Sequence, residues 1–449
     1  MSIINNVFKR VPVSVQNCAI TLFNTRQYKI RHGGKYKKFR KYYKKVDGYS
    51  QKRLDREFIS KRDSFFSYVK KHSSWYKDYN FDDLKLVSIL EKQDIINYFD
   101  EIKTIDEKKG IVSLTGGTTG TSMKVIYTKS DMQERFALLD HFREKNGYKL
   151  GKKTAWFSGK NLISEADITK GLCSHYDFIN KIRFYSTFHI NEENFDMYWS
   201  SLNKFKPEFI VGFPSSVYEI CEIADSRGLS LKYKVKVFFP TAETVLPQHR
   251  DMISRVLGCK LVNQYASSEG APFILECEKG NLHIHPLTGV FEVVDEDMQP
   301  ATEGEVLVTS FTTKGTPLIR YRIGDSIKLA PQTDQCECLS HFPLVERIYG
   351  RTDAYIYSPD KGLVNLNRLS IFTKQIQGLI ATQVIQKSKE AITLNMVVNN
   401  KYDQKQESRF ISLLRELIGE SIDIDIQYLD SIPREKSGKF RFVKNSLKI

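Results

Sequence analysis

The chain has 449 residues, of which 41% are hydrophobic and 12% aromatic, a composition of folded globular proteins rather than disordered ones. This length exceeds what one compact core usually holds, so two or three domains are expected. No apolar run reaches the length of a membrane span, and the first residues show no signal-peptide pattern. The seven cysteines are scattered along the chain, which argues against a disulfide framework. We therefore expect a cytoplasmic protein.

The first fifty residues carry most of the excess positive charge. The net charge is +15, and residues 1–50 hold twelve Lys and Arg against one acid, Asp47. Tyr36, Phe39 and Tyr43 share one helical face, which favours a helix that packs on the protein's own core with its lysines solvated. Contact with an anionic membrane is the alternative, and nucleic-acid binding is not expected. Residues 1–110 are predicted to form a basic helical region of a large domain.

A loop rich in glycine and threonine lies between two β-prone segments, Ile111–Leu114 and Val125–Thr128. The pattern predicts a hairpin tip, in which glycines and exposed donors form a concave site for a polyphosphate. Lys124, just after the loop, would add positive charge. A flexible surface turn is the alternative. The candidate phosphate-binding residues are Thr115, Gly116, Gly117, Thr118, Thr119 and Gly120.

Residues 208–264 alternate between strands and helices. The predicted strands are Glu208–Gly212, Val235–Phe239 and Lys260–Gln264, and the predicted helices are Pro214–Asp225 and Pro247–Leu257. This order predicts a parallel sheet, whose ligands bind beyond the carboxyl ends of the strands. Segments there include Ala242, Glu243, Tyr265, Ser268 and Glu269, and we expect them to converge on one crevice. Phe213, Ser215, Phe238 and Phe239 are candidates for the lining of a substrate pocket at this crevice.

Two carboxylates have suitable chemistry for a nucleotide site. Glu269 suits Mg²⁺, which takes one or two carboxylates together with phosphate oxygens; the alternative is an acid that caps a helix ahead of Gly270. Asp325 can accept both ribose hydroxyls, and its alternative is an ordinary β-turn aspartate. Short β segments between residues 290 and 330 predict a β-rich subdomain separate from the parallel sheet.

Three cysteines and either of two histidines suit a closed zinc site. Cys336 and Cys338 form a tight pair, and Cys277 is followed by His283 and His285. Three thiolates and one imidazole would make a structural, tetrahedral Zn²⁺ site, in which either histidine could serve. The alternative is a set of buried, inert cysteines.

The last hundred residues predict a compact α+β domain. Ala391–Val398 and Ile422–Ile426 are expected strands, and Gln406–Leu417 is an expected amphipathic helix. Lys439 follows Gly438, a sequence that suits a mobile side chain meeting an anionic intermediate; Lys436 is the competing lysine.

Five motifs follow one another along the chain: the glycine loop, Tyr265–Gly270, Tyr321–Asp325, Tyr349–Asp353 and Pro433–Lys439. Together they resemble the adenylate-forming superfamily of acyl-CoA synthetases, adenylation domains and luciferases. Within it, the series is most similar to the phenylacetate–CoA ligase branch associated with capsular polysaccharide biosynthesis. The resemblance covers nearly the whole chain.

The resemblance implies an α/β fold with a β-rich subdomain, built as a large N-terminal domain and a small mobile α+β domain. The large domain would comprise 1–110 and a nucleotide- and acyl-binding core over 111–350; the small one would be 351–449. A carboxylic acid would be activated with ATP and Mg²⁺ and passed to coenzyme A. A carrier thiol or an amine could replace coenzyme A, and a degenerate nucleotide-binding scaffold is the alternative from another class.

The same resemblance implies individual roles. Tyr265 would lie along the adenine, Ser268 would reach the α-phosphate, and Glu269 would hold the metal. Arg351 would contact ribose or phosphate, and Lys439, with Thr118 and Lys124, would act in catalysis. The chain departs from the pattern at Ala266, where glycine is usual, and at Ala354, where a second acid usually follows the hinge residue Asp353.

Overall fold

The computed structural model describes residues 11–114, 123–159, 162–295, 297–331, 333–351, 355–366, 369, 373, 376–433 and 441–447. The chain divides into two compact units. The large unit comprises Met1–Ile323 and Ile327–Ile348, and the small unit comprises Gly324–Ser326 and Tyr349–Ile449. Among the described helices, none combines the length and the apolar character needed to cross a bilayer.

Helices and strands alternate irregularly along the chain. The described helices are α1 (Val13–His32), α2 (Tyr36–Val46), α3 (Gln51–His72), α4 (Lys92–Asn97), α5 (Phe99–Ile102), α6 (Lys129–Lys145), α7 (Glu165–Thr169), α8 (Phe195–Phe205), α9 (Pro214–Ser226), α10 (Pro247–Leu257) and α11 (Gln404–Ile418). The first strands are β1 (Ile111–Leu114), β2 (Lys124–Tyr127), β3 (Thr154–Ser158), β4 (Ser174–Asp177), β5 (Ile182–Ser186), β6 (Phe209–Gly212), β7 (Val237–Pro240) and β8 (Lys260–Leu261). The remaining strands are β9 (Gln264–Tyr265), β10 (Ile274–Glu276), β11 (Leu282–Ile284), β12 (Gly289–Val294), β13 (Glu303–Ser310), β14 (Tyr321–Leu329), β15 (Leu344–Arg351), β16 (Tyr355–Ser358), β17 (Gly362–Asn365), β18 (Leu379–Gln386), β19 (Ala391–Val398), β20 (Asp423–Tyr428) and β21 (Val443–Asn445).

A six-stranded sheet in the large unit has the order β4-β5-β3-β6-β7-β8. Its strands are parallel except for β4, which is antiparallel to β5. The predicted parallel sheet is therefore confirmed, as are the helices that begin at Pro214 and Pro247. Gly258 ends α10 in the left-handed region, with φ of 60°.

The predicted third strand is wrong in one respect, because the chain changes sheets within it. Lys260 and Leu261 pair with β7, whereas Gln264 and Tyr265 pair with β10 of a second sheet. The Gln264 amide still donates to the carbonyl oxygen of Pro240 at 3.2 Å, so the start of β9 stays in contact with the carboxyl end of β7. The crossing thus carries Tyr265 to the edge where ligands of a parallel sheet bind.

Two residues proposed for the substrate pocket belong to the core instead. Phe238 and Phe239 are consecutive residues of β7, both fully buried, and consecutive side chains of a strand lie on opposite faces. Phe238 packs in the cluster with Ile220 and Ile253, and Phe239 packs in a separate cluster with Phe142. Their role is to hold the helices against the sheet.

The second sheet of seven strands has the order β12-β13-β14-β15-β11-β10-β9, and its described pairings are antiparallel. The β-rich subdomain is thereby confirmed. Asp325 lies inside the continuous strand β14, one residue after Gly324 with φ of 78°, so the β-turn interpretation of this aspartate is wrong.

Helices α1 and α2 pack on α6. The Tyr43 hydroxyl on α2 donates to Glu134 at 2.8 Å, and the Tyr36 hydroxyl donates to Asp140 at 2.9 Å. Tyr43 is only 1% exposed. The prediction that the aromatic face of α2 packs on the protein's own core is confirmed.

The small unit contains a four-stranded sheet of order β20-β19-β18-β21 and the helix α11. Phe410, Leu414 and Ile418 form the apolar stripe of α11 and are fully buried in one core with the sheet residues Val384 and Leu394. Asp403, the residue just before the helix, caps its N-terminus: the Asp403 side chain accepts from the Gln406 N–H.

Candidate functional site

The predicted hairpin around the glycine loop is confirmed at its base. Strands β1 and β2 pair antiparallel, with Leu114 opposite Lys124, so the connection between the two strands includes residues 115–122. These residues, Thr115 to Gly120 among them, lie outside the described part of the chain, and their phosphate-binding role stays a prediction. The amine of Lys124 forms an ion pair with Glu107 and lies 4.4 Å from the centre of the Phe99 ring. An incoming phosphate would therefore compete with Glu107 for this lysine.

Tyr127 connects this hairpin to the Tyr265–Gly270 turn. Its hydroxyl donates to the carbonyl oxygen of Ser268 at 2.8 Å. Burial raises the pKa of the Tyr127 phenol to about 12, so the hydroxyl stays protonated as a donor at neutral pH. One hydrogen bond thus joins the strand that carries the candidate phosphate loop to the turn that carries the candidate metal ligand.

The turn itself is held tightly. The Ser267 hydroxyl accepts from the N–H groups of Gly270 and Ala271 at 3.1 and 3.0 Å. Gly270 has φ of 105°, and a Cβ there would lie 2.3 Å from the Thr313 methyl carbon. Glu269 is buried, and no helix lies in the described segment between Gly270 and β10, so the helix-capping interpretation of Glu269 is wrong.

Arg135 on α6 holds the same turn through hydrogen bonds to its backbone. Its Nη1 atom donates to the carbonyl oxygens of Gly270 and Ala271 at 3.0 and 2.9 Å, and to the Thr312 hydroxyl at 2.9 Å. The sequence did not predict that Arg135 and Tyr127 hold the Glu269 turn, because neither residue belongs to a recognisable motif. Both are single residues brought to the turn by distant parts of the chain.

Three segments that follow strand ends converge at the edge of the parallel sheet. The Thr241 N–H donates to the carbonyl oxygen of Gly212 at 2.8 Å, and the Ser215 N–H donates to Oε2 of Glu243 at 3.1 Å. With the contact from Gln264 to Pro240, these bonds join the carboxyl ends of β6 and β7 to the start of β9. The segments after β6 and β7 therefore meet as expected, whereas the approach of Tyr265, Ser268 and Glu269 to them stays a prediction.

Glu243 offers an acceptor at this edge. Among the described residues, its second oxygen, Oε1, is buried and has no hydrogen-bond partner. A buried acceptor without a donor costs free energy unless a ligand or water supplies one. Ala242 beside it has φ of 64°, a strained conformation for a residue other than glycine, and such strain is concentrated at functional sites.

The remaining nucleotide-site candidates are less completely described. Asp325 is 9% exposed on β14. Arg351 ends β15, but its side chain lies outside the described part, as do Asp353 and Lys439 entirely. Their proposed roles stay predictions.

The structure brings Cys277, His283, Cys336 and Cys338 together, with their ligand atoms all within 4.8 Å of one another. The Sγ atoms of Cys277 and Cys336 are 3.7 Å apart, and Cys338 Sγ is 3.4 Å from Nε2 of His283. Tetrahedral zinc with bonds of about 2.3 Å to sulfur and about 2.0 Å to nitrogen requires separations of about 3.8 and about 3.5 Å. The observed distances fit this geometry.

Surrounding groups orient these ligands. The other ring nitrogen of His283, Nδ1, lies 3.0 Å from the carbonyl oxygen of Phe342, which fixes the tautomer that leaves Nε2 available to a metal. Burial raises the pKa of the Cys336 thiol, but hydrogen bonds from the Cys338 N–H and from Asn281 outweigh burial and lower it to about 6.

His285 is not part of this cluster. It is buried between the rings of Tyr43 and Phe342, with ring centres 5.2 and 4.8 Å away. Burial lowers the pKa of His285 to about 3, which keeps its imidazole neutral. Its position therefore favours packing over ligation.

Comparisons with known proteins cover both units. The family described as CapK C-terminal domain matches residues 356–446. Protein CapK of Staphylococcus aureus is 30% identical over 463 residues, which cover 99% of this chain and all of that protein. A phenylacetate-coenzyme A ligase of Thermus thermophilus is 34% identical over 165 residues, about a third of each chain (34% and 36%).

Among solved structures, 2-hydroxyisobutyryl-CoA ligase in the postadenylation state superimposes with a TM-score of 0.68 at 15% identity, covering 89% of this chain and 91% of the other. The fold is thus that of the adenylate-forming superfamily, with a large domain and a smaller C-terminal one. The similarity to protein CapK along the full length of both chains assigns this protein to one family within the superfamily. The chain belongs to the CapK family, in the phenylacetate–CoA ligase-like branch of that superfamily.

Proposed function

We propose that the protein activates a carboxylic acid with ATP and transfers the acyl group to coenzyme A. A carboxylate oxygen attacks the α-phosphorus, pyrophosphate leaves, and an acyl-adenylate results. The thiol sulfur then attacks the acyl carbon, losing its proton, and AMP leaves. The observation that supports this most is the Tyr127 hydrogen bond, because it joins the hairpin of the glycine loop to the Glu269 turn. Held in this way, phosphate and metal ligands would be positioned before substrate arrives.

Several residues fit a bound nucleotide. Glu243 would use Oε1 to accept an N–H or O–H donor of the nucleotide, which removes the cost of its buried, unpaired oxygen. Glu269 would hold Mg²⁺, whose charge offsets that of the phosphate oxygens. Tyr265 would lie along the base, and its strand pairing with Ile274 fixes the backbone from which the ring projects.

We further propose that the four-residue cluster holds a structural Zn²⁺. Cys277 and His283 flank the turn between β10 and β11, while Cys336 and Cys338 lie in the loop before β15. A metal would cross-link these segments, and its binding free energy would contribute to folding. The cluster would stabilise the second sheet rather than take part in the reaction.

From the sequence resemblance to the branch associated with capsular polysaccharide biosynthesis, we also propose a role in the assembly of a capsular or other extracellular polysaccharide, with the acyl-CoA as donor for a sugar. The test is ATP–pyrophosphate exchange with radiolabelled pyrophosphate across a panel of aryl, hydroxy and amino acids. One acid class should stimulate exchange strongly, and Glu269→Gln provides the inactive control. Lack of exchange with every acid class would contradict the proposal.

Product analysis then identifies the acceptor. With the active acid, mass spectrometry should detect an acyl-CoA thioester when coenzyme A is present. Formation of an amide with an added amine, and no thioester, would contradict transfer to coenzyme A while leaving adenylation intact.

A further inference from the structure

Helix α1 presents an apolar face that the rest of the described chain leaves exposed. Leu22 is 71% exposed, Phe23 58% and Val15 50%. The opposite face of α1 is occupied: the Thr21 hydroxyl accepts from the Phe178 N–H at 3.1 Å, and Asn24 donates to Asp177 at 2.9 Å. The outer face is therefore a second surface rather than a poorly packed core.

The hairpin between β4 and β5 adds two more exposed apolar side chains next to α1. Phe178 is 52% exposed and Ile179 60% exposed at its tip. Because the Phe178 backbone bonds to Thr21 on α1, the tip lies directly beside the helix. Monomeric proteins seldom expose several large apolar side chains together without a partner.

The next helix supplies positive charge. The outer residues of α2 are all lysines, while its inner face packs on α6 through Tyr36 and Tyr43. The exposed lysines are Lys37, Lys38, Lys41, Lys44 and Lys45. Among the described residues, no carboxylate forms an ion pair with any of them. Helices α1 and α2 are joined by a short turn and both contact α6, so the exposed lysines and the exposed apolar side chains belong to the same N-terminal part of the large unit.

We propose that this N-terminal surface, the outer faces of α1 and α2 with the 178–179 tip, binds an anionic membrane. A helix lying in the interface buries an apolar face at the acyl boundary, and adjacent lysines are attracted to anionic headgroups. Twelve basic residues against one acid over residues 1–50 match that charge. An apolar protein surface would explain the exposed apolar side chains equally well, but it would not account for a helix face composed only of lysines.

The test is sedimentation of the full-length protein with vesicles of phosphatidylcholine, with or without about 30% phosphatidylglycerol. We expect binding only to the anionic vesicles. Raising salt from about 0.1 M to about 1 M shortens the Debye length from about 10 Å to about 3 Å, so the electrostatic part of binding should fall sharply.

Two sets of substitutions test the apolar part and the charged part of the surface separately. Leu22→Gln with Phe23→Gln removes the apolar contact. Lys37→Gln, Lys38→Gln and Lys41→Gln remove three charges, each expected to contribute about fivefold to partitioning. Either set should weaken binding at least about tenfold. Matched controls are Leu86→Gln with Leu229→Gln, and the exposed lysine set Lys170→Gln, Lys232→Gln and Lys234→Gln.

The control variants should bind anionic vesicles within about twofold of the wild-type protein. All variants should keep the pyrophosphate exchange activity of the wild-type protein in the absence of vesicles. Absence of sedimentation with anionic vesicles would overturn the proposal. So would equal losses in the charge set and its control, since nonspecific net charge would then explain binding. A wild-type dimer that Leu22→Gln with Phe23→Gln dissociates, without any vesicle binding, would assign the surface to a second copy of the chain.

Discussion

Removing the Tyr127 hydroxyl tests whether the position of the Glu269 turn controls adenylation. Tyr127→Phe keeps the buried ring and deletes one donor, the hydrogen bond of 2.8 Å to the Ser268 carbonyl. A buried carbonyl left unpaired costs about 1–3 kcal/mol. Because Ser268 itself is exposed, water can replace the lost donor, and we expect the lower end, about 1 kcal/mol. In a unit of this size, that corresponds to a fall of about 2 °C in the melting temperature.

The effect on activity should exceed the effect on stability. Freed from Tyr127, Ser268 and Glu269 would shift relative to the glycine-loop hairpin, and a displacement of about 1 Å can cost up to about 100-fold in rate. We expect kcat/KM for ATP, measured by pyrophosphate exchange with saturating acid, to fall at least about tenfold. The melting temperature should be measured on the same preparations by calorimetry.

Tyr185→Phe provides the matched control. Tyr185 is a buried tyrosine whose hydroxyl lies 3.1 Å from the Ser201 hydroxyl, in the core around the parallel sheet. Its loss should lower stability by a similar amount and leave exchange within about twofold. If both variants lose the same stability and both keep near wild-type exchange, the Tyr127 hydrogen bond holds the fold and does not position the site.

Four further outcomes are expected. Gly270→Ala should abolish exchange and lower the free energy of unfolding by about 2 kcal/mol or more, because the positive φ is unfavourable for alanine and the new Cβ meets the Thr313 methyl group. Adding Thr313→Ser should restore part of the stability. If the double variant is no more stable than Gly270→Ala alone, the strain does not come from the Thr313 contact. Glu269→Gln, of equal size, should abolish exchange without changing the melting temperature, and near wild-type exchange would contradict the metal-ligand role. Protein purified without chelator should contain about one zinc per chain by elemental analysis, and Cys338→Ser should contain much less; a stable, zinc-free wild-type protein would contradict the structural site. Lys439→Ala should severely reduce acyl-adenylate formation but spare acyl transfer from pre-formed adenylate, and equal loss of both half-reactions in a folded variant would refute that division.

The sequence by itself determined most of the local elements around the site. Proline at the start and glycine after the end of Pro247–Leu257 are strong boundary signals, and the helix has those bounds in the structure. The alternating pattern of residues 208–264 identified the parallel sheet, and the β-prone flanks of the glycine loop identified the hairpin. These predictions succeed because they depend on local backbone preferences and on hydrophobic periodicity.

Only the tertiary structure decided which residues meet. His283 and His285 are two residues apart and would lie on the same face of a strand, so strand periodicity could not choose between them. In the structure, the loop before β15 brings Cys338 beside His283, whereas His285 is buried against Tyr43. Phe238 and Phe239 were equally suitable, as apolar residues, for a pocket or a core. Contacts such as Tyr127 with Ser268 span 141 residues. No local preference encodes them, because they arise when packed sheets and helices bring distant backbone groups within hydrogen-bonding distance.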